Sequence, residues 1–444
     1  GIMMVLLILY QGGRFSLLGW LYARSAARGW PPGLVFTFAF IASETIWPLV
    51  FPFTFGASFH HVYPVLQLAE IGGPILVALV GVATSWGFAS WIIGYLSIPA
   101  DQRTWWSLRS WAHAFQRAGR VRLGVLLGAL PAVVTVYGLL RIAQVDEAVQ
   151  KAEKLRVGLV QANLALDAKL FFSNDSLFTH QRLTQKIRNQ GAQLAVWSET
   201  SMGGSYPEDT GPRYYERIVT SPLKMPAIVG AVLHRAVEDA RSYLMFNTAF
   251  LADGQGKVTG RYDKHILIPF GEYLPFGDSF PSIYRYSPNS GRFSPGTRMK
   301  PLKFGAHEIA IFICYEDIMP ELVNEIMNAG DAGLLVNMTN DAWFGDTSEP
   351  WEHMALAKLR SVEQRRWMVR STNSGISGFV DPVGRLTKQT PLFKEATLIE
   401  DVAWLDLWTP YRVIGNKPYW LASFLILCMS WLKKRRLLGI FSKR

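Results

Sequence analysis

Ile309-Ala310-Ile311-Phe312-Ile313-Cys314-Tyr315-Glu316-Asp317 is a run of five apolar residues, three of them β-branched, closed by a cysteine and two acids. Such an uninterrupted apolar strand suits a sheet covered on both faces, because neither row of side chains meets water. Outward from it the same kind of run recurs. Candidate strands lie at Val157–Ala162, Gln193–Trp197, Ala227–Leu233, Asn247–Ala252, Gly333–Asn337 and Gly378–Asp381, and Asp253-Gly254 between Phe250 and Val258 marks a hairpin. Helical patterns at Ser176–Asn189, Pro320–Asn328 and Pro350–Arg366 alternate with them. From Arg156 onward this alternation predicts an α/β domain.

Three of the predicted strand or loop ends carry reactive groups. Ala195-Val196-Trp197 runs into Ser198-Glu199, Tyr262-Asp263 leads to Lys264-His265, and Ile311-Phe312-Ile313 ends at Cys314. Open α/β sheets gather chemistry at the carboxyl ends of their strands, where loops vary over fixed roots. A thiol reacts as its thiolate, so a carboxylate base and a nearby cation are the partners it needs, and Glu199 and Lys264 are of those types. Each residue also has a plainer reading. A lone cysteine at a strand end is more often buried structure, and a single Glu or Lys is more often a surface charge. Spacing alone does not bring the three together; residue by residue the reading stops at a cysteine hydrolase or acyltransferase.

The rest of the chain is different. Half of the 444 residues are hydrophobic and 18% are charged, which excludes a disordered or fibrous chain. Apolar runs at Ile2–Tyr22, Gly33–Phe55, Pro74–Leu96 and Leu123–Ile142, with a shorter one at Tyr419–Leu432, are expected to be membrane helices. Domains are expected at 1–144 (membrane helices), 145–415 (soluble domain) and 416–444 (a last helix and basic tail). Lys and Arg crowd the loops 23–32 and 97–122 and the tail after Leu432, and are absent from 51–64; this alternation predicts the 145–415 segment on the outer face. These segments hold most of the basic excess behind the net charge of +11, which removes the main support for nucleic-acid binding. Arg14 and Glu44, costly in lipid, are expected at the bundle interior or the interface. Gly1 leads straight into an apolar run with no initiator Met, and further helices are expected before it.

Glu199 in VWSET, Lys264 in YDKHILIPFGEYLPFG and Cys314 in FICYED, followed by NMTNDAWFG and RSTNSGISGFVDPVGRL, resemble the Glu-Lys-Cys signature of the nitrilase, or carbon–nitrogen hydrolase, superfamily. The resemblance is closest to its membrane-embedded branch, the apolipoprotein N-acyltransferases of Gram-negative bacteria. It implies an α-helical membrane bundle plus an α/β nitrilase-like domain, an α-β-β-α sandwich, in the bacterial inner membrane with the catalytic domain in the periplasm. It further implies that Glu199 takes the thiol proton, that Cys314 attacks a phospholipid ester, and that Lys264 stabilises the oxyanion before the acyl chain passes to a diacylated apolipoprotein.

Among supporting residues it implies that Glu272 orients Lys264, that Tyr315 and Glu316 hold the pocket, that Trp197 walls it, and that Phe276 and Phe344 belong to a lid. Glu316 can also be read as a helix N-terminal carboxylate and Trp197 as a core aromatic. Asn340, Asp341 and Trp343 either line the cleft or make a turn. Ser198 stands where the family usually has Pro. His60-His61, His265 and His353 lack metal-ligand spacing, and no phosphate-binding glycine loop is present, so no metal or cofactor is expected. Partners are expected to be the two lipid substrates and the membrane, with a monomeric chain. A membrane-tethered amidase and an inactive lipid-binding homologue are the competing readings.

Overall fold

The computed structural model describes residues 2–49, 51–96, 119–165, 173–208, 216–236, 243–277, 279–287 and 290–433. The chain divides into two compact units, residues 1–142 with 414–444, and residues 143–413.

The first unit contains helices α1 (Ile2–Ala26), α2 (Pro32–Thr45), α3 (Ala69–Leu96) and α4 (Gly119–Lys151), the last running past Ile142, and a later helix, Lys417–Trp431. Two stretches of these, Ala69–Ile93 and Leu126–Lys151, are long and apolar enough to cross a membrane among the described residues. They overlap two of the five expected runs, Pro74–Leu96 and Leu123–Ile142. The second run, Gly33–Phe55, is helical only as far as Thr45, because Pro48 and Pro52 cannot continue a helix and disfavour it in the residue before them. Its 14 residues rise about 21 Å, short of the ~30 Å hydrocarbon layer, and the 15 of Lys417–Trp431 fall short in the same way. α1 is continuous over 25 residues, but Gln11-Gly12-Gly13-Arg14 breaks its apolar run. Within α3, Gly72 and Gly73 leave helical geometry just before Pro74. Arg103, Arg109, Arg117 and the tail from Lys434, on which the orientation argument leaned, lie outside the described residues.

Glu44 and Glu70 of this unit are both paired with arginines. Arg14 lies 3.3 Å from Glu44 and donates to the Phe53 carbonyl at 2.9 Å, while Glu44 accepts the Phe55 amide at 3.0 Å. Glu70 accepts Arg141 at 2.7 Å and the Tyr137 hydroxyl at 2.6 Å. Along α4 only 11% of the apolar stretch is buried, with Leu126, Val133 and Leu140 all more than 60% exposed. A water-soluble core helix would be mostly covered.

The second unit has strands β1 (Lys154–Gln161), β2 (Leu194–Val196), β3 (Tyr206–Pro207), β4 (Ala227–Ala236), β5 (Tyr243–Ala252), β6 (Val258–Asp263), β7 (Leu302–Phe304), β8 (His307–Ile313), β9 (Ala332–Thr339), β10 (Trp367–Thr372), β11 (Gly378–Val380), β12 (Leu386–Gln389) and β13 (Ala396–Ala403). One sheet runs β13-β1-β2-β4-β5-β6 with β3 beside β4, and the other β12-β11-β10-β9-β8-β7. Each has a parallel centre, β1-β2-β4 and β8-β9-β10, flanked by antiparallel strands.

The sheets meet face to face. Ser371 of β10 donates to the carbonyls of Val160 and Val196 in the other sheet at 3.3 and 3.1 Å. The helix α5 (Ser173–Asn189) covers the outer face of the first sheet through Leu177, Leu183 and Ile187. Pro320–Asn328 and Glu349–Gln364 cover the second through Leu322, Val323, Met354 and Val362. The layering is α-β-β-α, with both central sheets buried on both faces as their apolar runs require. The hairpin falls where Asp253-Gly254 marks it, closed by Asp253 Oδ1 accepting the amides of Gln255 and Lys257.

Candidate active site

Glu199, Lys264 and Cys314 stand just past the carboxyl ends of β2, β6 and β8. All three are buried, at 7%, 1% and 7% exposure. Glu199 sits in a turn that crosses β4 at Gly230, where any side chain's Cβ would come within 2.6 Å of the Ser198 carbonyl and the Thr200 amide. Cys314 opens a short 3-10 helix, Cys314–Ile318, and has φ +54°; Thr200, beside Glu199, has φ +49°. Left-handed backbone at two non-glycine residues is strain held in place by the surrounding fold.

Lys264 is clamped. Its ammonium lies 2.9 Å from the Glu272 carboxylate and 3.7 Å from Glu199. Burial works against that charge, but the Cys314 sulfur, Glu272 and Glu199 outweigh it and raise its pKa. Lys264 is therefore a fixed cation and not a proton acceptor. Burial, with the Glu199 carboxylate beside it, pushes the Cys314 thiol well above its usual range, against the pull of Lys264 and a hydrogen bond with Thr339. The resting group is a thiol, so the site needs a base, and Glu199 is the carboxylate placed to serve.

Asn247, which the sequence reading missed, ties the two glutamates together. Its amide donates to Glu199 at 2.7 Å and to Glu272 at 3.2 Å, and its backbone carbonyl accepts the Lys264 amide at 2.8 Å. Glu272 also accepts the Ile268 amide at 2.9 Å. Glu316 caps the nucleophile turn by accepting the Ile313 amide at 2.8 Å, and reaches across to accept the Tyr262 hydroxyl and the amides of His265 and Ile266 at 2.9, 2.6 and 3.1 Å. One carboxylate thus joins the Cys314 turn to the segment carrying Lys264. Burial pushes Glu316 up to about 7 even though these donors favour its charged form.

Below the nucleophile lies a second polar layer, made by Asn337, Thr339 and Asp341 on and after β9, Arg370 on β10, and His353 on Glu349–Gln364. Asn337 donates to the Cys314 carbonyl at 3.0 Å and accepts Arg370 at 2.8 Å. The Arg370 guanidinium also pairs with Asp317 and lies 3.3 Å from Asp341. Burial opposes the Asp341 charge, but Arg370 and His353 hold its pKa at about 2. Asp341, Glu349 and His353 offer ligand atoms within 4.8 Å of one another. Both ring nitrogens of His353 already face carboxylates, however, and Arg370 supplies compensating charge, so the grouping is an ion network.

The other expected residues are distributed unevenly. Trp197 is a correction: its ring is fully buried in the core between the first sheet and α5, where Nε1 donates to Thr184 Oγ1 at 2.8 Å, so it does not wall a pocket. Tyr315 is buried beside Cys314, and Asn340 is buried with an unpartnered Oδ1. Asp341–Phe344 make a 3-10 turn that leaves Trp343 70% exposed. Phe276 is 77% exposed with φ +64°, while Phe344 is partly buried. His265 packs against Tyr262, and its buried ring nitrogens have no hydrogen-bond partner. An open groove of about 530 Å³ at the opposite ends of β8 and β9, lined by His307 and Trp404, contains none of the three central residues.

The carbon-nitrogen hydrolase family profile matches residues 156–412. The apolipoprotein N-acyltransferase of Geobacter metallireducens is 37% identical over 287 residues, 64% of this chain and 53% of that protein. That of Pseudomonas syringae pv. tomato is 29% identical over 458 residues, covering 97% of this chain and 80% of its own. The match to the Geobacter protein thus spans about half of its length. Among solved structures, an amidase from Nesterenkonia sp. aligns at a TM-score of 0.42 and 20% identity, over 61% of this chain and 98% of its own.

Proposed function

This chain belongs to the carbon–nitrogen hydrolase family, and from that premise we propose that it is a membrane-embedded N-acyltransferase acting on apolipoproteins. The observation that carries this reading is the buried Lys264 ammonium, held between Glu199 and Glu272 beside a buried, strained Cys314. Glu199 takes the Cys314 proton, and the sulfur attacks the ester carbonyl of a phospholipid acyl chain. Lys264 meets the developing oxyanion, already desolvated and already charged, where such a group counts most. As the carbon–oxygen bond breaks, the Glu199 proton passes to the departing oxygen, leaving a lysophospholipid and a thioester on Cys314. The α-amino group of a diacylglyceryl-cysteine then attacks the thioester; Glu199 accepts the amine proton and returns it to sulfur, closing a ping-pong cycle.

Burial of all three groups keeps water from the thioester, which favours transfer over hydrolysis. The exposed apolar surface of α4 and the length of α3 support a multi-pass protein of the bacterial inner membrane. The catalytic unit is read on its periplasmic side, where both substrates keep their chains in hydrocarbon, and the chain as a monomer. The names of the relatives support the same substrates. The test is to incubate the purified protein with phosphatidylethanolamine and a diacylated lipopeptide bearing a free N-terminus. Gain of one amide-linked acyl chain by the peptide supports the reading. Release of free fatty acid alone makes the protein a hydrolase, and no turnover at all by folded protein favours a lipid-binding homologue.

A further inference from the structure

The chemistry above uses Glu199, Lys264 and Cys314, and leaves unused the buried charges beneath the nucleophile. His353 bridges two carboxylates there, Nε2 at 2.9 Å from Asp317 Oδ1 and Nδ1 at 3.2 Å from Asp341 Oδ1. A neutral imidazole carries one N–H, so two carboxylate partners call for the doubly protonated ring. The two carboxylates sit on different turns: Asp317 belongs to the short helix that Cys314 opens, and Asp341 follows β9. Asp341 Oδ1 is also the acceptor for the Thr339 hydroxyl at 3.2 Å, and Thr339 follows Met338, the ladder partner of Ile313, so it stands beside Cys314, where its hydroxyl favours the thiolate.

We propose that His353, as an imidazolium clamped between Asp317 and Asp341, is a positioning residue that fixes the Cys314 turn and lets the Thr339 hydroxyl swing from Asp341 to the thiolate. A hydroxyl has one proton to donate. While Cys314 is a thiol, the Thr339 proton points to Asp341. Once Glu199 has taken the thiol proton, the Thr339 O–H turns to the sulfur, and Asp341 keeps the His353 Nδ1–H as its donor. No proton leaves Thr339 or His353.

The groups facing His353 are Asp317 on the nucleophile turn, Asp341 after β9, Arg370 on β10, and Glu349 on its own helix at 3.7 Å. Burial and Arg370 oppose its charge, but Asp317 and Asp341 raise its pKa to about 9, so the imidazolium persists through neutral pH.

The inference rests on Cys314 being the nucleophile of the proposed function, so its test reads the thiol directly and needs no lipid. In full-length protein carrying Cys428→Ser, the rate of iodoacetamide alkylation of Cys314 is followed by intact mass from pH 6 to 10. His353→Gln and Thr339→Val are expected to slow alkylation about tenfold, displacing the rate profile upward by about one pH unit. Thr339→Ser, which keeps the hydroxyl, is expected to restore it. A residue that only stabilises the fold would lower the melting temperature and leave the profile in place. Should His353→Gln fail to fold, Thr339→Val, close to isosteric, decides. A wild-type profile in either folded variant overturns the proposal. A displaced profile in a protein that never forms an acyl adduct leaves the positioning role standing and removes the acyltransferase reading alone.

Discussion

Glu316→Gln separates the two halves of the site with the loss of a single charge. The native carboxylate accepts four donors, from Ile313, Tyr262, His265 and Ile266, and offers none. A glutamine has one oxygen, so it can satisfy one pair and must turn an NH₂ toward the other. At least two buried donors then lose their acceptor, at about 1–3 kcal/mol each. The sum, roughly 2–6 kcal/mol, corresponds to a drop of about 5–20 °C in the melting of the catalytic unit. Because those bonds hold the Cys314 turn against the segment carrying Lys264, acyl-enzyme formation is expected to slow at least tenfold at pH 8. The wild-type carboxylate, pushed up to about 7 by burial, gains a proton as pH falls, and that proton meets three backbone N–H donors and the Tyr262 hydroxyl. The ratio of wild-type to variant rates should therefore shrink between pH 8 and pH 6. Thermal unfolding followed by intrinsic fluorescence in detergent, with intact-mass acylation rates, reads both effects. A variant within about 1 °C and twofold of wild type, with a pH-independent ratio, would refute the clamp.

Asn247→Ala removes the donor shared by Glu199 and Glu272 and should lower the acylation rate roughly tenfold with protein folded, measured by the same adduct assay. Trp197→Phe forfeits the bond to Thr184 and some packing, so it should cost about 1–2 kcal/mol of stability while leaving the rate per folded molecule within twofold; a large rate loss would return Trp197 to the pocket. In the helical unit, Glu44→Leu leaves the half-buried Arg14 without its carboxylate and is expected to destabilise by roughly 1–3 kcal/mol, whereas Arg14→Met with Glu44→Leu recovers most of it in the same melting assay. The His353 pKa is raised from 6.5 to about 9, so its contribution is full below pH 6.5 and disappears as pH rises through about 9. Melting temperatures should fall between pH 7 and 10, by at most roughly 3 kcal/mol in stability, and His353→Gln should lack that component.

What the sequence revealed and what it hid follow one physical rule. Strands such as Ile309–Ile313 announce themselves because a parallel strand buried on both faces must be apolar throughout. β10, Trp367–Thr372, is equally buried, yet it reads Trp-Met-Val-Arg-Ser-Thr and went unrecognised, because its polar half serves the ion network and the contact between sheets. Asn247 was passed over for the opposite reason: a single amide inside an apolar strand looks like tolerated polarity. Its position, an inward-facing residue of β5 two strands from Glu199, was the available signal. Trp197 misled through closeness in sequence: it stands two residues before Glu199, but its ring packs in the core against α5, while Glu199 sits in the turn that follows β2. The second membrane run misled because composition extended over Trp47-Pro48 and Pro52, where the backbone cannot.

The central claim is that Cys314 carries the acyl chain between two lipids. The direct measurement is intact mass spectrometry of the protein in detergent with phosphatidylethanolamine, beside Cys314→Ala, followed by addition of the diacylated lipopeptide. The account predicts one acyl adduct on the wild type and none on Cys314→Ala, discharged as the peptide gains one amide-linked chain. An adduct that survives Cys314→Ala, or one discharged only to free fatty acid, would contradict it.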